Sequence, residues 1–128
     1  MPAKVFVFGS NESGIHGAGA ALFAYKNKGA RYGKCYGHYG DSFAIPTKDE
    51  DIGIMPIGRI AQYVQGFLGY AAGHHRLTFE VTAIGCGLAG YTHREIAPLF
   101  RGATTNCIFD ARWKPFLGDQ YSYFEAHE

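Results

Sequence analysis

The chain has 128 residues, 47% of them hydrophobic and 16% aromatic, which is enough apolar material for one core but not for two. Its 12 Lys and Arg against 11 Asp and Glu leave a formal charge of +1, which argues against the broad basic footprint of a protein that grips a nucleic-acid backbone or an anionic membrane. The apolar stretch after Met1 is too short for a signal-peptide core and no run reaches the length of a membrane span, so a single cytoplasmic domain over residues 1–128 is expected.

In chain order, Lys4 to Phe8 predict a strand that breaks at Gly9, because Val-Phe-Val-Phe is followed by Gly-Ser-Asn. The segment from Gly19 to Lys26 is rich in helix formers and stops near Gly29. From Gly29 to Gly40 glycines and tyrosines alternate without a period, which predicts an irregular connection. Ser42 to Thr47 reads as a second strand with Pro46 near its end, where a missing N–H does least damage. The polar turn Lys48-Asp49-Glu50-Asp51 follows. Ile57, Ile60, Ala61, Val64, Phe67 and Leu68 then form one helical stripe within 57–70. The adjacent His74 and His75 fit a helix end facing water. Leu77 to Ile84 predict a third strand, broken by Gly85-Cys86-Gly87. Thr92 with Glu95 three residues later has the spacing of a capping box and predicts a helix to about Phe100. Asn106 to Ala111 predict a fourth strand, and no period organises the tail from Trp113 to Glu128.

Strands alternating with helices imply an α/β fold with right-handed parallel crossovers. The segments beginning at Gly9, Lys48 and Gly85 each follow a strand, so they should emerge at one carboxyl edge of the sheet, where open α/β sheets bind ligands. Small residues at the start of a helix let backbone N–H groups approach an anion. Gly17-Ala18-Gly19-Ala20 and the run from Gly85 to Tyr91 both have that arrangement, and two such loops on one edge suit a diphosphate held from both sides. Glycines at strand-to-helix turns also serve turn-making and packing alone. Neither loop ends in Gly-Lys-Ser/Thr, and neither carries Gly-x-Gly-x-x-Gly with a downstream ribose acid. Cys35, Cys86 and Cys107 are widely spaced and read as reduced, mostly buried thiols, so no metal site and no cofactor are expected.

Asn11 followed by Gly17-Ala18-Gly19-Ala20 resembles the strand-end asparagine and glycine-rich loop of macrodomains, and Ile84 to Tyr91 resemble their second phosphate loop; the likeness runs from about Val5 to Asp110. Within that family the second loop and Ile45-Pro46-Thr47-Lys48 are most similar to terminal ADP-ribose glycohydrolases and DNA ADP-ribosyl glycohydrolases. The resemblance implies a three-layer α/β/α fold around a mainly parallel sheet, with an ADP-ribose or related nucleotide site. Its contacts would be Gly9, Ser10, Asn11, Gly17, Ala18, Gly19 and Ala20 from the first loop, and Gly85, Cys86, Gly87, Leu88, Ala89, Gly90 and Tyr91 from the second. The diphosphate would lie between the loops and the distal ribose near Asn11. It further implies removal of ADP-ribose from a modified protein or nucleic acid, with Asn11 and Lys48 as catalytic residues and Lys48 as amine nucleophile. A non-catalytic binder or sequestering module needs the same phosphate grip.

The chain departs from the family in three places. It starts at what corresponds to the family's second strand, ahead of which an adenine-recognising aspartate would stand; Asn-Ala-Ala-Asn becomes Phe8-Gly9-Ser10-Asn11; and Ala89 stands where the terminal hydrolases carry an acid. Proton transfer would then fall to Asp41, Asp49 or a water. Each singled-out side chain also has a plainer role open to it. Asn11 suits turn-making, His16 an exposed loop where it could otherwise contact phosphate, Tyr91 packing where it could otherwise flank the distal sugar, and Lys48 a solvated charged turn.

Overall fold

The computed structural model describes residues 3–125 of the chain, apart from the Leu88 side chain. Six strands form one mixed sheet in the order β2-β3-β1-β4-β5-β6. They are β1 (Ala3–Asn11), β2 (Gly37–Tyr39), β3 (Ser42–Lys48), β4 (Leu77–Val81), β5 (Cys107–Asp110) and β6 (Ser122–Phe124). All neighbours are parallel except β2, which runs antiparallel to β3. The helices are α1 (Gly19–Asn27), α2 (Ile57–Ala72), α3 (His93–Ile96) and α4 (Lys114–Leu117).

The pleat of β1 divides the core. Val5 and Val7 join a large cluster with Ile60, Val64 and Phe67 of α2 and with Ile96, Phe100 and Trp113. Phe8 points the other way, into a smaller cluster with Ala21 and Ala24 of α1 and Ala44 of β3. Helices therefore cover both faces, as parallel sheets require. The predicted stripe of α2 is buried at Ile60, Val64, Phe67 and, one turn on, Ala71, while Ile57 at its start stays exposed.

Several boundaries differ from expectation, each for a local reason. β1 continues past Gly9 to Asn11, because Ser10 and Asn11 still pair with Pro46 and Lys48 of β3. The register shifts between Ser10 and Asn11, leaving Thr47 as the extra residue next to a proline that cannot donate to the ladder. β4 stops at Val81 instead of Ile84 because Thr82 turns inward: its N–H (3.2 Å) and its hydroxyl (2.6 Å) both donate to the Val7 carbonyl. The capping box is present, with Thr92 Oγ1 accepting from Glu95 N–H, but the α-helix lasts one turn and tightens to a 3₁₀ turn over Ala97–Phe100 at Pro98. The irregular connection holds the short edge strand β2, and the tail holds α4 and β6. His74 and His75 lie exposed after α2, as expected of a helix end.

Candidate functional site

Five parallel strands end at one edge of the sheet, and β1 and β4 lie at its centre. From β1 the chain turns to α1 on one face; from β4 it turns to α3, whose Ile96 belongs to the cluster on the other face. Two loops leaving adjacent strands toward opposite faces open a crevice between them. The glycine-rich segments stand where the two walls of such a crevice would be. Gly9 lies at its floor: a Cβ there would stand 3.1 Å from Thr47 Oγ1 and 3.7 Å from Gly85 N, so the glycine brings β1 against the second loop.

The first wall is held by its own side chains. Asn11 is buried, and its Oδ1 accepts from Ile15 N–H (3.1 Å) and Ser13 hydroxyl (2.7 Å) while its Nδ2 donates to the Ile15 carbonyl (2.8 Å). The asparagine shapes the loop. Ser10 is also buried, with its hydroxyl donating to the Cys35 carbonyl, so its side chain serves the scaffold. His16 is fully buried, not an exposed loop residue. Its Nε2 is 2.8 Å from the Arg31 carbonyl and its ring meets Phe8 edge-on, while Nδ1 has no partner among the described residues. That geometry fixes the tautomer with the proton on Nε2. Beyond His16, Gly17, Ala18, Gly19 and Ala20 are all exposed. They open α1, which has neither a side-chain cap nor an acid in its first turn, so its first N–H groups face outward with a favourable partial charge for anions.

The second wall folds on itself. Tyr91 N–H donates to the Gly85 carbonyl (3.1 Å), with a 3₁₀ turn over Gly87–Ala89 and Gly90 between. Gly87 (φ 77°) and Gly90 (φ 97°) are exposed, whereas Gly85 and Ala89 are buried. Burial pushes the half-buried Cys86 thiol up to about 11, despite the nearby Arg112, so it is no thiolate nucleophile at neutral pH. The Tyr91 hydroxyl donates to the Met55 carbonyl, tying this loop to the β3–α2 turn. Tyr91 therefore packs as well as lines. In the same turn, Ile52 is the one described non-glycine residue at positive φ (60°), and Ile54, 71% exposed, leans on Gly90.

Lys48 closes β3 beside Asn11 and is half-buried. Asp49 is committed to the turn after it, with Oδ1 accepting from Asp51 N–H (2.9 Å) and Gly53 N–H (2.8 Å). Asp41 precedes β3 and lies at the opposite edge of the sheet, a full strand from Lys48, so it cannot assist there. The carboxylate that does reach this corner is Glu12, which the sequence reading passed over. Its N–H donates to the Lys48 carbonyl (3.0 Å). Its Oε2 accepts from Tyr63 hydroxyl (2.7 Å) and Arg59 (2.8 Å). Burial first, and then the hydrogen bond to Glu12, push Tyr63 up to about 12, so the phenol stays a donor across the physiological range. Glu12, Arg59 and the turn residues Asp49, Glu50 and Asp51 line an open cleft of about 310 Å³. No position in the one-dimensional pattern marks Glu12, because its partners are 47 and 51 residues away on α2.

Further along the edge, Asp110 ends β5 nearly fully buried. Its burial would raise the carboxyl, but paired hydrogen bonds from Arg112 (3.0 and 2.8 Å) outweigh that and hold it below the usual range. Among the described residues, no group of three His, Cys, Asp or Glu is placed to hold a metal ion, and no helix is long and apolar enough to cross a membrane. Comparison with protein-family models, with curated proteins and with solved structures finds no match.

Proposed function

We propose that this chain is a macrodomain-like ADP-ribose-binding protein that removes ADP-ribose from a modified protein or nucleic acid. The observation that carries the binding reading is that two glycine-rich segments leave the adjacent strands β1 and β4 at one edge of the sheet, where they would wall a crevice. One of its walls is an uncapped helix start with exposed small residues, and the other is a loop with two exposed glycines at positive φ. Both present backbone at the same edge, the arrangement that suits a diphosphate. The distal ribose would then lie toward Asn11 and Lys48, which pair across β1 and β3. Gly9 and Ser10 enter this reading as the strand beneath the ligand, with Ser10 turned to the scaffold.

Hydrolysis adds a role for Lys48, whose neutral amine would attack the anomeric carbon. A binder that does not turn its ligand over is the second reading. It is favoured by Asn11, whose side-chain oxygen is already engaged by the loop.

Calorimetric titration tests the shared premise. ADP-ribose should bind in the micromolar range, about −8 kcal/mol, and ADP more weakly for want of the distal ribose. Absence of heat and of thermal shift at millimolar ADP-ribose refutes the reading. Turnover of ADP-ribosylated protein and of ADP-ribosylated DNA by wild type and Lys48→Ala separates the two versions. Release at equal rates removes Lys48 as nucleophile, and no release by wild type leaves the binder.

A further inference from the structure

We infer that this chain forms a two-fold dimer through the half of its sheet that α1 leaves uncovered, with each copy's α1 lying along the partner copy's β6 edge. The dimer is independent of the ligand reading.

The strand register fixes which side chains share that face. Val5 pairs with Phe79 and Val7 with Val81, Val81 pairs in turn with Phe109, and all of them belong to the cluster under α2. Their alternates Lys4, Phe6, Glu80, Ile108, Ser122 and Phe124 therefore point to the α1 side. There α1 packs on β1 and β3, through Phe8 and Ala44. The other three described helices place Ile60, Ile96 and Leu117 in the opposite cluster. Ile108 and Phe124 belong to neither cluster. Parallel sheets have both faces covered, and on this face β4, β5 and β6 have no layer among the described residues. Phe23 of α1 marks the border: it is 46% exposed and its ring centroid is 5.2 Å from that of Phe6. Tyr25, on the other flank of α1, meets Tyr32 ahead of β2, so Phe23 is on the flank toward β4.

This surface is shaped for its own copy. α1 makes a step about 10 Å high beside a floor three strands wide, and facing sheets also pack about 10 Å apart. A two-fold axis parallel to the strands and passing over β5 lays one floor on the other. Each step then stands beside the partner copy's β6, the strand at the open edge of the sheet. A foreign helix could cover the floor, but it would leave that edge bare. The axis sets Ile108 against its own counterpart and Glu80 against the row of Ser122. Lys4 is the diagonal neighbour of Glu80 on β1, so the face carries both signs of charge and does not repel a copy of itself. Strand and helix spacings give a footprint of about 500 Å² a copy before side-chain relief is counted, which approaches the ~800 Å² per partner of a standard interface. An axis along the strands also preserves their direction, so both carboxyl edges, with their glycine-rich segments, open the same way.

Sedimentation velocity of the full chain from about 1 to 200 μM reads the assembly directly and needs no ligand. Wild type should pass from 14.0 kDa toward twice that mass, with its midpoint in the micromolar range that a contact of this size allows. Ile108→Arg brings two like charges together at the axis and should weaken the dimer at least about 100-fold. Its circular dichroism should stay that of wild type, because Ile108 belongs to neither core cluster. Should that variant misfold, Phe23→Arg on the exposed flank of α1 takes its place and should weaken the dimer about tenfold or more. Ile54→Arg, which replaces an isoleucine that is 71% exposed at the carboxyl edge, should dimerise as wild type does. Wild type that stays monomeric at about 200 μM overturns the proposal. So does a dimer that a folded Ile108→Arg or Phe23→Arg leaves intact, or one that Ile54→Arg disrupts as much as Ile108→Arg does.

Discussion

Single glycines in the first two loops do different work, and the difference is measurable. Gly87 has φ 77° with open space where a Cβ would stand, whereas Gly14 has φ 72° and a Cβ there would lie 2.6 Å from the backbone of Gly33. A side chain at Gly87 meets only the left-handed penalty, about 1–2 kcal/mol. At Gly14 backbone must move as well, so Gly14→Ala should cost about 3 kcal/mol or more. Denaturant unfolding of Gly14→Ala and Gly87→Ala checks that ranking. Gly87→Glu should remain folded and lose ADP-ribose binding, because bulk and negative charge would enter the crevice; a folded Gly87→Glu that binds like the parent points to the wrong loop. The same scale shows what could be read in advance. Gly17-Ala18-Gly19 and Gly85 to Gly90 are each a run in the sequence and mark the candidate site's walls, while Glu12, Tyr63 and Arg59 meet only when α2 is laid along β3. The burial of His16 is illegible in sequence for a similar reason. Its burial depends on Arg31 and Tyr32, in a connection that has no period to read.

Elements with a strong internal pattern form where the residues put them, although β1 runs on to Asn11 and the α-helix after Thr92 ends at Ile96. The apolar period of α2, the alternation of β1, the apolar run of β3 and the Thr92–Glu95 pair each act within a few residues, so local chemistry decides them. The elements missed, β2 and β6, have three residues each and exist through the ladder bonds of a neighbour, β3 and β5 respectively. Strands that short carry no pattern of their own. The capping box also makes a prediction at this scale. α3 has four residues and follows the second glycine loop directly, so it has little else to start it. Thr92→Ala should lower stability by about 1 kcal/mol. Because Tyr91 precedes the cap, the change should also weaken ADP-ribose binding more than an equally destabilising change in α4 would. Equal effects from Thr92→Ala and Leu117→Val at matched stability would detach the cap from the site.

For the whole molecule, stability is unevenly shared between the two faces of the sheet. The α2 face holds Phe43, Phe67, Phe79, Phe100, Phe109 and Trp113 in one cluster, with Phe67 packed edge-on to Phe43, Phe79 and Phe100. The α1 face holds one buried phenylalanine, Phe8, among four alanines. Phe67→Ala should therefore cost about 3–5 kcal/mol, a large part of the total for a domain of this size; urea midpoints would show it, and a loss under about 1 kcal/mol would mean that the cluster is looser than its ring contacts imply.

The central position of β1 has a further consequence in time. The strand is made first, yet its partners lie far along the chain: Phe6 pairs with Ser42 on one side, and Ala3 pairs with Leu77 on the other. At about 5–20 residues per second, the ribosome holds Val-Phe-Val-Phe without its second neighbour for several seconds, during which one edge of an apolar strand has its backbone N–H and C=O groups unpaired. Newborn chains of this protein should thus spend that interval as clients of a chaperone or as partners of one another. The hazard ends when β4 arrives, and a message that pauses between the codons for β3 and β4 would lengthen it.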